Sequence, residues 1–313
     1  MSDRVLVTGG SGFIGSHLVR KLLAMGFDVG ITVRVDHVED NWRLKDVWHD
    51  LATVIEMDIR NRDSMNQIVV WNPSAVFHLA AYHHVGRSWE QVEECFDVNA
   101  KGSANVIDAA MTCGAQLVYM STSEVYGSCF ASPWSEDLQV YPASPYGVTK
   151  YAGEQYAAMT ERKNGFKKVN IARPFNVFGP GQSDRAVIGE FIQKALRGET
   201  IYMTKGTQTR EFNYVHNVVE GLIMLWQRNP GIGPWNIASG QDISIYDLVM
   251  RIHELSNSTS KIMPTLPDRP NEIWKMCADP TRFRMATGWE PRVDFDEGLQ
   301  QTINWYQSHL EKK

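Results

Sequence analysis

The sequence predicts a doubly wound parallel α/β sheet with a smaller C-terminal α/β lobe, and three observations carry that expectation. Short β-rich runs alternate with longer helical patterns as far as residue 175. The first run opens directly onto a glycine-rich turn and an amphipathic segment. Beyond Arg173-Pro174 the alternation loosens into short strands and helices punctuated by proline. Strands separated by helices need crossover connections, which are right-handed and produce a parallel sheet.

The elements follow in order. Val5-Leu6-Val7 forms the first strand and His17 to Met25 the first helical segment. Val29 to Val33, Thr53 to Met57, Ala75 to Leu79, Gln116 to Met120 and Lys168 to Ala172 read as strands two to six. Asp63 to Val70, Ser88 to Met111 and Pro145 to Arg162 read as the intervening helices. In the second half, Val187 to Leu196, Asn217 to Trp226, Ser244 to Leu255 and Glu297 to His309 carry helical patterns. Arg210 to Tyr214 and Trp235 to Ala238 read as short strands, and Pro264, Pro267 and Pro270 break the chain before the last helix. A domain of residues 1–175 followed by a lobe of 176–313 is expected, with 210–240 returning to the first domain.

Bulk properties narrow the function. A chain of 313 residues, 43% hydrophobic and 21% charged, suits a globular protein of one or two domains. A net charge of −5 gives no global basic field for nucleic acid or an anionic membrane. Cys95, Cys113, Cys129 and Cys277 lie far apart and show neither a disulfide framework nor zinc-ligand spacing. His83 and His84 have no carboxylate or cysteine partner at metal-ligand spacing. No apolar run approaches membrane-spanning length and no signal peptide is evident, so a cytoplasmic protein is expected.

Two stretches carry chemistry. Thr8-Gly9-Gly10-Ser11-Gly12-Phe13-Ile14-Gly15 places G-x-G-x-x-G between a strand and a helix. Glycines allow close backbone approach to a pyrophosphate, and the helix N-terminus offers unpaired N–H groups and a positive dipole end. This is the Rossmann arrangement of a dinucleotide site. Farther on, Tyr146 and Lys150 stand four apart on one helical face, just after the fifth strand, where doubly wound sheets bind ligands. An ammonium beside a phenol favours phenolate, which would make Tyr146 a usable acid/base.

Five motifs in order, T-G-G-S-G-F-I-G-S-H-L, H-L-A-A, S-T-S-E-V-Y-G, S-P-Y-x-x-x-K and R-P-F-N-V-F-G-P-G-Q, resemble the extended short-chain dehydrogenase/reductase family of nucleotide-sugar epimerases and dehydratases. The resemblance spans nearly the whole chain. It implies that Gly9, Gly12, Phe13, Ile14 and Gly15 line the pyrophosphate, and that Asp58 and Ile59 meet adenine. Leu79, Ala80 and Ala81 would pack on the cofactor, with Asn99 on a helix beneath the site. Tyr146 would be the acid/base at the sugar 4-hydroxyl, Thr122 would bond the same hydroxyl, and Lys150 would hold the nicotinamide ribose. Asn176 would touch the nucleotide sugar, Arg210 and Arg269 its diphosphate, and Glu272 the nucleoside ribose. His84 is expected at the rim, and Ser88 where the next helix meets phosphate or sugar hydroxyls. A homodimer through a four-helix bundle is also implied.

The resemblance leaves cofactor and reaction partly open. The second strand ends in Val33-Arg34-Val35-Asp36, lacking the family's common acid at Val33. Arg34 resembles the pattern of GDP-mannose 4,6-dehydratases, which use NADP, whereas Asp36 could instead bind a ribose hydroxyl and favour NAD. Glu124 occupies the place of a catalytic glutamate in sugar-nucleotide 4,6-dehydratases. It could take the C5 proton once C4 is a ketone, giving a 4-keto-6-deoxy sugar. Ser123 stands where the dTDP-glucose enzymes have aspartate. UDP-glucuronate decarboxylases share S-E-V-Y-G, but their tyrosine-lysine helix usually carries an extra arginine signature not found here; a 4-epimerase needs only Tyr146, Thr122 and room to rotate the ketone, so that outcome stays open. A non-catalytic dinucleotide sensor would not need Tyr146, Lys150, Thr122 and Glu124 together.

Overall fold

A computed structural model describes residues 3–34, 41–127, 132–164, 168–268 and 272–310. The first half runs β1 (Arg4–Thr8), α1 (Phe13–Ala24), β2 (Asp28–Val33), β3 (Thr53–Glu56), α2 (Asn66–Trp71), β4 (Ala75–His78), α3 (Val92–Phe96), α4 (Ser103–Thr112), β5 (Gln116–Met120), α5 (Pro145–Asn164) and β6 (Val169–Pro174). The second half runs β7 (Val177–Phe178), α6 (Val187–Arg197), β8 (Ile201–Tyr202), β9 (Thr209–Glu211), β10 (Asn213–Tyr214), α7 (Val215–Arg228), β11 (Trp235–Ile237), β12 (Asp242–Ser244), α8 (Ile245–Leu255), β13 (Ile262–Met263), β14 (Lys275–Met276), α9 (Thr281–Thr287) and α10 (Phe295–Leu310).

Seven strands form one sheet in the order β11-β6-β5-β4-β1-β2-β3. Every neighbouring pair in it is parallel. Both faces are covered, which is why the strands read as nearly continuous apolar runs: Val5, Leu6, Val7, Val76 and Phe77 are wholly buried. From β1 the chain builds outward through β2 and β3, then crosses back to β4 and builds the other way. The order therefore reverses between β1 and β4, and a crevice opens at their carboxyl ends. Strand β11 joins this sheet through β6, and α7 packs against β5, β6 and α1.

The helix expected over Ser88 to Met111 has a more particular form. A 3-10 turn at Gly86–Trp89 precedes α3, and a π-helical stretch at Asp97–Gly102 joins α3 to α4. The 3.6-residue pattern does not reveal such a bulge, because it inserts a residue without interrupting the helix. Asn99 lies within this stretch and is wholly buried.

Two buried carboxylates tie later segments to the sheet. Arg173 on β6 donates to both oxygens of Glu154 on α5, at 2.9 and 2.6 Å, with both side chains almost completely buried. This forked pair fixes α5 against the sheet. Glu211 at the end of β9 accepts from Ala278 N at 2.7 Å, Gly240 N at 2.9 Å and Ser239 Oγ at 3.0 Å. It gathers two loops of the second half, those of Ser239-Gly240 and Ala278, while burial pushes its carboxyl pKa up. Strands β12, β9 and β14 form a small separate sheet here.

Candidate active site

The crevice between β1 and β4 is built by backbone. Gly9, at φ +69°, has no room for a side chain: a Cβ there would lie 2.8 Å from Ala80 N. A Cβ on Gly15 would lie 2.2 Å from Gly9 O. The turn closes with Gly12 N donating to Gly9 O at 3.0 Å. Helix α1 then begins at Phe13 with no side-chain cap and no acid in its first turn. Its leading N–H groups, including those of Phe13 and Ile14, therefore face the crevice end uncapped. Thr8 Oγ1 accepts from Ala80 N at 3.2 Å and meets His78 Nδ1 at 2.7 Å, holding the β1 and β4 ends together. His78 Nε2 meets Ser103 Oγ at 2.9 Å, and burial pushes the imidazole pKa down to about 3. This neutral, fully buried histidine lies in the H-L-A-A motif, yet its part in the floor is invisible until β1, β4 and α4 are placed together. Leu79 packs against the apolar core on one side of the sheet and Ala80 on the other.

Beneath this floor, Asn99 is wholly buried and spends its amide on the protein. Its Oδ1 accepts from Tyr82 N at 2.8 Å, and its Nδ2 donates to Tyr82 O at 3.0 Å and to Thr149 Oγ1 at 3.2 Å. It thus ties the segment after β4 to the residue preceding Lys150.

At the outer end of the crevice, Asp58 follows β3. Its carboxylate takes a forked hydrogen bond from Arg60, with Nε at 2.9 Å and Nη2 at 2.5 Å from Oδ2. Arg60 holds the Asp58 pKa below the usual carboxylate range, and Arg34 at the end of β2 adds to that effect. Two arginines and one acid therefore cluster there; Arg60 escaped the sequence analysis because an arginine two residues beyond an acid carries no distinctive spacing. Ile59 is buried against Gly102 in the π stretch, and its carbonyl accepts from Asn105 Nδ2 at 2.9 Å. Asp36 lies outside the described residues.

The reactive side chains sit at the carboxyl end of β5. Thr122 caps a 3-10 turn, Ser123–Tyr126, accepting from Glu124 N at 3.2 Å. Helix α5 packs its first turn on this segment; Gly147 is needed because a Cβ would lie 2.8 Å from Glu124 O. That packing brings Thr122, Glu124 and Tyr146 to one place. Burial pushes the Tyr146 phenol up; Thr122 works against this, and Glu124 and Cys95 add to it. The net direction is upward, opposite to the lowering expected from Lys150 alone. Burial is the largest cause, and the Lys150 ammonium lies 4.6 Å over the Tyr119 ring. Burial also brings Lys150 down to about 8, against the pull of Glu154 and Cys95. Glu124 is half-buried; burial raises its carboxyl pKa and the Arg210 guanidinium lowers it. Arg210 therefore bears electrostatically on the carboxyl across the cleft.

The side of the cleft formed by the second half is less open than expected. Arg210 Nη2 meets Glu272 Oε1 at 2.5 Å, and its Nη1 donates to Ile273 O at 2.5 Å and Thr209 O at 2.8 Å. The two side chains expected to bind separate parts of a ligand are paired with each other. Asn176 Nδ2 donates to Glu211 O at 2.9 Å. Arg269 and Cys129 lie outside the described residues. His84 lies against His83 with the rings tilted and their centroids 4.1 Å apart, and Arg87 and Arg185 both bear on it. Ser88 departs from expectation. It is wholly buried and its hydroxyl donates to Val85 O at 2.6 Å, closing its own turn, so it presents nothing to a ligand.

A crevice at the switch point of a parallel sheet, a glycine turn opening a bare helix end, and a tyrosine-lysine helix beside it define the class as a dinucleotide-dependent α/β enzyme. Residues 6–302 match the family described as GDP-mannose 4,6 dehydratase. The chain belongs to that family, within the extended short-chain dehydrogenases/reductases of the nucleotide-sugar epimerase and dehydratase type. It is 33% identical, over 98% of both chains, to a UDP-N-acetyl-alpha-D-glucosaminuronate decarboxylase of Bacillus cytotoxicus. A UDP-glucose 4-epimerase of Thermotoga maritima, solved with UDP-glucose, superposes with a TM-score of 0.87 at 28% identity, over 98% of this chain and 99% of that one. A dTDP-glucose 4,6-dehydratase of Streptomyces venezuelae, solved with NAD and TYD, gives 0.87 at 26% identity, over 99% and 98%. Dehydratases, epimerases and decarboxylases thus surround the chain at comparable distances.

Proposed function

We propose that the protein is a nucleotide-sugar 4,6-dehydratase, converting an NDP-hexose to an NDP-4-keto-6-deoxyhexose through a 4-keto intermediate with tightly bound NAD(P). The observation that carries this is Glu124. A second acid/base of raised pKa stands beside the Tyr146 phenol, where a reaction needing only one would not require it.

The crevice suits the cofactor. Gly9, Gly12 and Gly15 leave it free of side chains, and the uncapped amides of Phe13 and Ile14 suit a pyrophosphate. The Lys150 ammonium, 2% exposed, makes no hydrogen bond to a described residue, which suits a ribose diol brought by the ligand. Asp58 and Ile59 would receive adenine, and Leu79, Ala80 and Ala81 the flat faces of the molecule. Asn99 would act from beneath by holding Tyr82 and Thr149. We favour NADP, because Arg34 and Arg60 together suit a ribose phosphate. The bound cofactor supplies reversible oxidation and reduction at the sugar carbons.

The protein's own groups move the protons. Thr122 and Tyr146 hold the sugar 4-hydroxyl, and Tyr146, in its phenolate form, takes its proton. Glu124 removes the proton at C5, made acidic by the 4-ketone, and passes it to the 6-hydroxyl, which departs as water as the C5–C6 double bond forms. Asn176, Arg210, Glu272, Arg269 and His84 would hold the nucleotide sugar, with 176–313 as the binding lobe and 210–240 returning to the domain of 1–175. Arg210 can turn from Glu272 to a diphosphate, which matches its forked donors equally well. Val92, Phe96, Val148 and Met159 are exposed on α3 and α5, which supports a homodimer through a four-helix bundle. A 4-epimerase is the second reading, favoured by Ser123 in place of an acid.

A panel of UDP-, GDP-, CDP- and dTDP-hexoses in deuterated water, followed by NMR, tests the proposal. Deuterium at C5 with a new 6-methyl group is expected. Inversion at C4 without solvent deuterium would exclude it in favour of the epimerase.

A further inference from the structure

Lys150 is an ammonium in the protein core with no hydrogen-bonded side-chain partner among the described residues, so something else must hold it in place. The residue beneath it is Tyr119 on β5, wholly buried. Its ring centroid lies 4.6 Å from Lys150 Nζ, within the range of a cation–π contact. Its hydroxyl donates to the backbone carbonyl of the same lysine at 3.0 Å. One tyrosine thus touches Lys150 at both ends. The clearance for this is equally specific: a Cβ on Gly153, one turn along α5, would lie 2.0 Å from the Tyr119 oxygen. Glycine in the middle of a helix is unfavourable by about 1 kcal/mol relative to alanine, so its presence here needs a reason. The tyrosine hydroxyl supplies one.

We infer that Tyr119 is a positioning residue for Lys150: its ring seats the ammonium, its hydroxyl fixes the turn of α5 that carries the lysine, and Gly153 provides the room. This rests on the assignment of Tyr146 and Lys150 as the working pair. The other titratable groups facing Lys150 are Glu154 on its own helix, Cys95 on α3 and His78 on β4. Glu154 is engaged by Arg173, and burial holds His78 neutral at ordinary pH. The ring is therefore the contact that favours the charged lysine without itself carrying charge.

The test uses the full chain with Tyr119→Leu, Tyr119→Phe, Gly153→Ala and the double variant Gly153→Ala/Tyr119→Phe. Three quantities are measured: the titration of the Lys150 ε-carbon by NMR on 13C-lysine protein, kcat and KM with the best sugar nucleotide, and thermal midpoint. Loss of the ring in Tyr119→Leu is expected to lower the Lys150 pKa and to reduce kcat about 10-fold, with KM within about twofold, following the strength of a desolvated cation–π contact. Tyr119→Phe keeps the ring and is expected to leave the lysine titration in place. Gly153→Ala is expected to disturb the lysine in the parent protein and to disturb it less in the Tyr119→Phe background, where the nearer clashing atom, the oxygen, is gone and only the ring carbon at 2.6 Å remains. A merely structural role moves the thermal midpoint and leaves the lysine titration unchanged. An unchanged or raised Lys150 pKa in Tyr119→Leu, or an equal effect of Gly153→Ala in both backgrounds, overturns the inference. If Tyr119→Leu fails to fold, the Gly153 comparison decides alone. Turnover surviving Tyr146→Phe would refute the underlying assignment instead, and the lysine titrations would still report on Tyr119.

Discussion

The two sides of the cleft are made differently. The crevice between β1 and β4 is made of backbone: Gly9 against Ala80, Gly15 against Gly9, and the first amides of α1. The opposite side, from β9 and the segment before β14, is made of side chains that satisfy one another, above all Arg210 and Glu272. A backbone site is finished before any ligand arrives. A side-chain site can exchange partners, at the cost of breaking an existing pair.

Five perturbations would break or sharpen the contrast. The largest effect is expected at the junction of the two sides: Tyr146→Phe should lower kcat by about 10²- to 10⁴-fold, the usual worth of a positioned acid/base. Steady-state assays on the accepted sugar nucleotide check this, and unchanged turnover would sink the enzymatic assignment. Next comes the support of the reactive helix. Glu154→Gln leaves the Arg173 guanidinium buried without its carboxylate and should cost about 3–5 kcal/mol of stability, as for other broken buried pairs. Urea unfolding reads it; a loss under about 1 kcal/mol would show that α5 is held by packing alone.

Gly15→Ala tests the backbone side. Overpacking there costs about 1–3 kcal/mol, so NAD(P) should bind about 10- to 100-fold more weakly. Calorimetric titration should show it, and parent-like affinity would mean that the crevice yields more than its geometry suggests. Arg210→Ala tests the side-chain side. The expected result is a KM for the sugar nucleotide about 10-fold higher with kcat little changed, because a charged hydrogen bond is worth about 1.5–3 kcal/mol and part of it is already spent on Glu272. A fall in kcat alone would place the arginine in chemistry rather than binding.

The smallest effect is a displacement in pH. Glu124 must be ionised to accept a proton, and burial raises its pKa above the ordinary glutamate value. The dehydratase kcat should therefore fall, as pH decreases, earlier than an exposed glutamate would dictate. Arg210 lowers that pKa, so Arg210→Ala should move the limb to still higher pH. A limb that stays in place in Arg210→Ala would show that the two sides do not communicate through Glu124.

Motifs made of consecutive residues were legible. The glycine turn, the alternation of strands and helices, and the face shared by Tyr146 and Lys150 all follow from local spacing. What was not legible depends on segments distant in the chain. His78 and Tyr119 read as ordinary strand residues until β4 and β5 lie beside α4 and α5. Ser88 looked available to a ligand until its own turn claimed its hydroxyl. Arg210 and Glu272, 62 residues apart, looked like two separate ligand contacts until β9 and β14 brought them together.

By itself, the sequence determined the sheet, the dinucleotide crevice and the family, because each is written in backbone requirements and short-range periodicity. Only the tertiary structure decided the protonation tendencies and the partners of the reactive groups. Desolvation and charge at Glu124, Tyr146 and Lys150 come from whatever the fold packs against them. The Lys150 ammonium over the Tyr119 ring is the clearest instance: spacing along the helix set the face Lys150 shares with Tyr146, and β5 set where the charge rests.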